Sequence, residues 1–400
     1  LVGSEMCIRD REEAKASVKR NMEYLNGKFP FSAAYNSEPF PSERDGMYPI
    51  TENVEWTTGF WTGLIWLMYD WSREECFKEL GMADVRSFKE RVEKRIDLNH
   101  HDLGFLYSPS CVAAYQLCQS EEGKQAALQA ADILMVNNEF PFSDRGTPMA
   151  DKQFTFRCSP GYVKALNEMG VDIVSLANNH TLDYGRAALS DTFSALDGAG
   201  ILYGGAGDSV QRAKEVQIME VNGKKYGFIA VSRVVPSADW KIESAAPGMF
   251  TCYDATALIE VIKEAKQTCD FVTVFPHWGT EYSEQPNAVQ RELAKQCMDA
   301  GADLVVGAHT HCLEGIEYID GKPVFYSLGN FIFGQNIDRS AAVKVTVTED
   351  GTVSYALIPV YASDGQTKQM DANAAPGLFS YMESISDNAS VDEAGNISEK

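Results

Sequence analysis

The sequence holds no run of about 18 apolar residues, the least that spans a bilayer as a helix. Its longest apolar stretch, Phe60–Tyr69, is too short and is broken by Gly63. It holds no CxxC pair. The cysteines at 7, 76, 111, 118, 158, 252, 269, 297 and 312 are scattered, which favours free thiols over a disulfide framework or a zinc ribbon. Basic residues are scarce, with 35 Lys and Arg against 57 Asp and Glu and a formal net charge of −22. That balance offers no basic face to nucleic-acid phosphates. There is no GxxxxGK[ST], and no GxGxxG follows a strand, so the common nucleotide-phosphate cradles are excluded. Gly204-Gly205-Ala206-Gly207 leads into a charged helix at the wrong spacing. No signal-peptide pattern stands at the start as given. What the sequence does hold is 400 residues, 44% of them hydrophobic and 11% aromatic. That is enough for two domains with cores of their own.

The two halves follow different patterns. Residues 12 to about 133 read as helices and loops: Glu12–Leu25, Thr57–Tyr69, Glu75–Arg95 with Gly81 as a break, Pro109–Leu117 and Glu121–Leu134. From about Ala131, strand-length apolar runs alternate with helical segments. The runs are Asp132–Val136, Asp172–Ala177, Tyr226–Val231, Phe271–Phe275 and Leu304–Gly307. The helical segments are Gly185–Leu196, Ala255–Lys266 and Ala288–Ala300. This alternation predicts an α/β domain with its functional loops at strand ends. Asn222-Gly223, Asp320-Gly321 and Asp350-Gly351 predict hairpin turns. Residues 364–400 are polar and acidic and are expected to form a tail with one short helix. Residues 1–11, LVGSEMCIRDR, have no helical or strand period. They resemble translated sequencing-adapter read-through and are expected to be adapter-derived or disordered. The natural N-terminus, with any signal or anchor on it, is then expected to be missing.

The six histidines cluster. His100 and His101 lie in NHHDLGF, His180 ends ANNH, His277 begins HWGTE, and His309 and His311 form GAHTH. In the second half each cluster follows a predicted strand, and Asn137-Asn138-Glu139 follows another. Strand ends gather side chains at one sheet edge. Carboxylate, amide and imidazole together form a mixed oxygen and nitrogen donor set suited to divalent metals. Two such ions, about 3.5–4 Å apart, can activate water and clamp an in-line displacement. The ANNH histidine can serve as a general acid instead of a ligand. An HxH pair alone is a weak signal; four ordered clusters are a strong one.

Five segments carry a resemblance: NNEFPFSDRG (Asn137–Gly146), DIVSLANNHTLDYG (Asp172–Gly185), FPHWGTEY (Phe275–Tyr282), GADLVVGAHTHCLEGIE (Gly301–Glu317) and VFYSLGNFIFG (Val324–Gly334). Residues 131 to about 362 resemble the capsule-synthesis CapA family of the poly-γ-glutamate type, which has a calcineurin-like metallophosphoesterase fold. The resemblance implies an α/β/β/α sandwich and two divalent ions, drawn from Mn, Fe, Zn or Mg. Glu139, Asn179, His277, His309 and His311 would be ligands, His180 the catalytic acid, and Asn330 a substrate-side neighbour. It further implies a cell-envelope polymer or a phosphorylated or γ-glutamyl substrate, other capsule-synthesis proteins as partners, and an anchored parent protein outside the cytoplasmic membrane. The family opens with a strand ending in Gly-Asp. No such strand precedes Asn137, so the first βα unit is expected to be missing.

The first half resembles a different family. EWTTGFWTGLIW (Glu55–Trp66) and NHHDLGFLYSPSCVAAY (Asn99–Tyr115) resemble the N-terminal third of unsaturated glucuronyl hydrolases, glycoside hydrolase family 88. That family is an (α/α)6-barrel that works with two aspartates and no metal. The resemblance implies Asp102 as one of the two, with His101 beside it and Trp56 and Phe60 lining the sugar site. Trp61 and Trp66 read as core. The second carboxylate and about half of the barrel fall outside the matching region. An inactive fragment with exposed apolar faces is therefore expected.

The halves join at Ala130–Met135 with no Gly/Ser/Pro linker. The expected organisation is 1–11, an all-α barrel fragment over 12–133, a CapA-like domain over 134–363, and a tail over 364–400. A natural fusion keeps whole domains; this join truncates both, as in a chimeric gene model. The leading functional expectation is a capsule-synthesis protein with a metal-dependent hydrolase-like site. The alternatives are a non-catalytic polymer-binding or export protein and an inactive glucuronyl hydrolase fragment.

Overall fold

The computed structural model describes residues 2–31, 49–55, 57–94, 96, 106–129, 133–242, 246–348, 350–363, 365–371 and 373–400. The chain forms two compact units, Leu1–Asp132 and Ile133–Lys400.

The first unit is helical: α1 (Val2–Leu25), α2 (Thr58–Ser72), α3 (Glu75–Glu93), α4 (Ala113–Cys118) and α5 (Glu121–Gln129). A π-helical turn, Ser108–Val112, leads into α4. A two-residue antiparallel ribbon pairs Phe29–Pro30 with Ile50–Thr51. The core gathers Ile65, Trp66, Phe77, Val85, Phe88 and Leu106, each fully buried or nearly so. Trp61 and Trp66 both belong to it. Two sequence expectations are corrected here. Helix α1 runs through residues 2–11, where the sequence shows no helical period and one expectation is disorder. Gly81 does not break α3. It lies in mid-helix because Trp66 packs on it, and an added Cβ would stand 2.7 Å from the indole ring. Arg91, also buried, donates to Asn53 Oδ1 at 3.1 Å and to the Glu55 carbonyl at 3.0 Å. On the outer side of α2, Leu64 and Leu67 are exposed.

The second unit is α/β. Its strands of three or more residues are β1 (Met135–Asn137), β2 (Ile173–Ser175), β3 (Leu202–Gly204), β4 (Gln217–Val221), β5 (Lys224–Ser232), β6 (Phe271–His277), β7 (Leu304–Val306), β8 (Leu313–Ile319), β9 (Lys322–Leu328), β10 (Ile337–Val347), β11 (Val353–Ser363), β12 (Gln366–Gln369), β13 (Ala389–Val391) and β14 (Asn396–Glu399). Its longer helices are α6 (Arg186–Ala199), α7 (Thr256–Thr268), α8 (Ala288–Ala300) and α9 (Ala375–Ile385). Strands β1, β2 and β3 form a parallel sheet. A six-stranded sheet has the order β8-β9-β7-β6-β5-β4, parallel across β9-β7-β6-β5 and antiparallel at both edges. Strand side chains alternate between faces, and here both faces are covered. Val272, Val274, Val305 and Val324 pack with Leu258, Ile262, Leu293 and Ala294 of α7 and α8. Phe271, Phe275, Leu304 and Phe325 pack with a second, antiparallel sheet through Ala341 and Leu357, and with α9.

The three hairpins form at their expected turns. Asn222-Gly223 and Asp320-Gly321 have positive φ at both residues, the geometry that Asn-Gly and Asp-Gly favour. Asp350-Gly351 lies at the tip between β10 and β11. The expected acidic tail is corrected. Strands β12 and β14 both pair with β11. Leu378, Phe379 and Met382 of α9, with Val391 and Ile397, are buried in the same core as the sheet. The Asn388 amide completes the β8 edge, accepting from the Tyr318 N–H at 2.7 Å and donating to the Tyr318 carbonyl at 2.9 Å. Few apolar residues are enough here because each one faces an existing sheet.

Candidate functional site

Parallel strands end at a common edge, and a crevice there is where open α/β sheets hold their ligands. Strand β1 ends at Asn137 and delivers Glu139; β2 leads to Asn178, Asn179 and His180; β6 ends at His277; β7 leads to His309 and His311. Ala308 bridges to His277, which locks the last two together.

The expected ligand residues of this unit converge. His277 is fully buried, and its Nε2 lies 2.9 Å from Asn179 Oδ1. Its Nδ1 lies 3.9 Å from Glu139 Oε1 and 3.5 Å from the Asn137 amide nitrogen. Asn137 in turn donates to Glu139 at 2.6 Å. The rings of His277 and His309 are 4.8 Å apart, and those of His309 and His311 are 6.1 Å apart. His309 and His311 both hold positive φ, at 107° and 61°. For side chains other than glycine that conformation costs about 1–3 kcal/mol each, and such strain gathers at functional sites. His311 Nδ1 lies 2.8 Å from Asn330 Oδ1, so Asn330 also stands at the site.

The electrostatics suit metal donors. Burial holds His277 well below the ordinary imidazole range, and the neighbouring imidazoles act in the same direction. Burial likewise brings His309 down to about 4. Both rings are therefore neutral near pH 7 and keep a lone pair, as metal ligation requires. Burial raises Glu139, against the opposing pull of His311, His180 and Lys152.

The donor types fit a divalent ion. Among the described residues His309 Nδ1 is buried and has no hydrogen-bond partner, and a buried imidazole nitrogen without a protein partner is free to bind a metal. Among the described residues, no three His, Cys, Asp or Glu side chains stand close enough together to hold an ion as they are. Asn179 and His277 bond to each other instead.

His180 lies beside this set in a second network. Its Nδ1 is 2.7 Å from Asp183 Oδ2. Asp183, fully buried, also accepts from the Phe156 N–H at 2.7 Å and from Lys152. Lys152 donates as well to the Asn179 carbonyl and sits 3.1 Å from His180 Nδ1. Phe156 packs on the His180 ring at 4.4 Å. Asn178 holds the loop in place, donating to the Asn138 carbonyl at 2.9 Å and accepting from the His180 N–H at 3.0 Å. Sequence reading misses Asp183 and Lys152. Asp183 had a signal, since it lies three residues beyond His180 in the same turn; Lys152 had none.

Trp56, His101 and Asp102, the expected glycosidase residues, lie outside the described residues. Phe60 is described and is 47% exposed.

Comparison with known proteins divides the chain in the same way. Over the C-terminal part it is 36% identical across 240 residues to the PGA biosynthesis protein CapA of Bacillus subtilis strain 168, covering 58% of this chain and 62% of that one. It is 32% identical across 251 residues to the capsule biosynthesis protein CapA of Bacillus anthracis, covering 60% of this chain and 61% of that one. Over the N-terminal part it is 45% identical across 118 residues to an unsaturated chondroitin disaccharide hydrolase of Streptococcus pneumoniae, covering 30% of this chain and 28% of that one. The chain thus spans about three fifths of the length of the capsule relatives and under a third of the hydrolase. The family model for bacterial capsule synthesis protein PGA_cap matches residues 90–335, more than half of the chain, and the chain belongs to that family.

Proposed function

We propose that the second unit is a capsule-synthesis domain with a metal-dependent hydrolase site of the metallophosphoesterase type, acting on a cell-envelope polymer. The observation that carries this reading is the convergence of Glu139, Asn179, His277, His309 and His311 at one sheet edge, with His309 Nδ1 buried and unpartnered. These five would hold one or two divalent ions. Bound there, a metal would acidify a water and polarise a phosphoryl oxygen.

The chain's own groups supply the proton. Asp183 accepts from His180 Nδ1–H, so the proton given to the leaving group is the one on Nε2, which the ring carries in its doubly protonated form. Lys152 and the Phe156 N–H keep the Asp183 carboxylate fixed and charge-compensated, so the imidazole stays aimed as the leaving group departs. The substrate proposed is a phosphorylated or γ-glutamyl unit of an envelope polymer and the working place proposed is the cell envelope; supporting this, the relatives are named for PGA and capsule biosynthesis.

A second reading is a domain that binds and organises a polymer without cleaving it; what favours it is that the capsule relatives are named for biosynthesis and not for hydrolysis. Metal analysis of the purified chain, paired with turnover of a generic phosphoester, separates the two. Bound metal with turnover supports the hydrolase; a chain that binds neither metal nor phosphoester supports the organiser. For the first unit we propose no glycosidase activity, since it spans 28% of its hydrolase relative. The ultraviolet absorbance of an unsaturated uronide incubated with the chain should stay constant.

A further inference from the structure

We propose that Asn330 is a positioning residue whose amide fixes His311 in the Nδ1–H tautomer and so presents Nε2 as the bare nitrogen of that ring. The inference that this nitrogen serves a metal rests on the hydrolase reading above; the tautomer assignment does not.

An asparagine amide has one oxygen that only accepts and one nitrogen that only donates. Asn330 uses both on one residue. Its Oδ1 lies 2.8 Å from His311 Nδ1, and its Nδ2 donates to the His311 carbonyl at 3.4 Å. Turning the amide over would set its oxygen against that carbonyl, two acceptors face to face. The His311 backbone therefore dictates the amide's orientation, and the amide dictates the ring. An oxygen at Nδ1 requires a proton there. A neutral imidazole carries one N–H, so Nε2 is left with its lone pair.

The surroundings hold this arrangement still. Asn330 follows Gly329, whose φ of 76° lets the chain turn out of β9. The turn is tied down by the Gly329 N–H to Ser327 Oγ at 3.3 Å and by the Ser340 hydroxyl to the Leu328 carbonyl at 2.8 Å. The ring itself is packed by Tyr282 at 5.8 Å and Phe333 at 5.3 Å. His309, two residues earlier, has no comparable partner at Nδ1. Among the described residues, His311 Nδ1 thus has an amide partner and His309 Nδ1 has none. A partner of this kind on a ligand imidazole typically changes metal affinity about 10- to 100-fold.

The test is long-range proton–nitrogen NMR on the full chain with labelled histidine, prepared without metal and assigned by loss of the His311 signals in His311→Gln. Wild type should show His311 as the Nδ1–H tautomer. Asn330→Ala should shift it toward Nε2–H or a mixture. Asn330→Ser, whose shorter side chain withdraws the acceptor from Nδ1, should shift it in the same direction. Zinc titration by calorimetry should weaken about 10- to 100-fold in Asn330→Ala. A wild-type ring in the Nε2–H form, or a tautomer unchanged in Asn330→Ala, overturns the proposal. If Asn330→Ala does not fold, the comparison is made with Asn330→Ser, and a tautomer unchanged there overturns the proposal. If wild type binds no zinc while the tautomer follows Asn330 as described, the positioning role stands and the metal reading falls.

Discussion

In the second unit the six-stranded sheet is covered on both faces, by α7 and α8 on one side and by the antiparallel sheet and α9 on the other. In the first unit the helices enclose Trp66 and Phe88, yet α2 still presents Leu64 and Leu67 outward. The relatives show the same contrast, with about three fifths of a capsule protein represented against 28% of a hydrolase. A strand-end site is positioned by strands that end together beneath covering layers, and in the second unit five candidate ligands meet at such an edge. In the first unit the expected sugar-site residues Trp56, His101 and Asp102 lie outside the described residues, and Phe60 is exposed. A closed core alone does not make a site; its side chains must also be gathered at one edge.

The sharpest way to break this contrast is to open the second unit from its far layer. Met382, fully buried on α9, belongs to the segment that composition alone reads as a tail. Met382→Ala should cost about 2–5 kcal/mol in urea unfolding, as core truncations do. A cost under about 0.5 kcal/mol, the range of surface substitutions, would mean that 364–400 is an appendage after all.

The first unit can be probed through pH. Asp84 is buried, accepts from the Thr62 hydroxyl at 2.9 Å, and is pushed up to about 7 by desolvation. Its folded pKa lies above the ordinary value of 3.8, so the folded state binds the proton more tightly than the unfolded state. Its contribution is fully present below about pH 4 and declines as pH rises toward about 7. The loss is capped at about 4 kcal/mol by that separation. Asp84→Asn should flatten the pH dependence of this unit's unfolding, and an unchanged profile would rule the group out.

A smaller effect sharpens the account of the second unit. Asn287 caps α8, accepting from the Val289 and Gln290 N–H groups at 3.0 Å, while the Gln290 side chain accepts from the Asn287 N–H at 2.9 Å. Asn287→Ala should lower stability by about 0.5–2 kcal/mol with the site's metal content unchanged. Metal lost along with the cap would mean that α8 reaches the site.

Much of this was legible in the sequence, for physical reasons. The strands of the second unit showed as short apolar runs because both of their faces are buried. The hairpins showed because Asn-Gly and Asp-Gly tolerate positive φ. The clusters around Glu139, Asn179, His277, His309 and His311 showed because polar residues directly after such runs lie at a sheet edge; the choice of these five as ligands is what the resemblance implies. What stayed hidden depends on tertiary partners. Gly81 looked like a helix break, because nothing local reveals that Trp66 needs its missing side chain. Residues 364–400 looked solvated, because five well-placed apolar residues barely move a composition. Lys152 looked like any surface lysine, although the fold carries it to Asp183, 31 residues along the chain.

The central claim is that the strand-end residues form one metal site. It is tested most directly by metal content per chain, measured by elemental analysis after equilibration with manganese or zinc, for wild type and for His309→Ala/His311→Ala. The account predicts stoichiometric metal in the wild type and none above background in the double variant, with both proteins folded. Stoichiometric metal retained by the double variant, or none bound by the wild type, would contradict it.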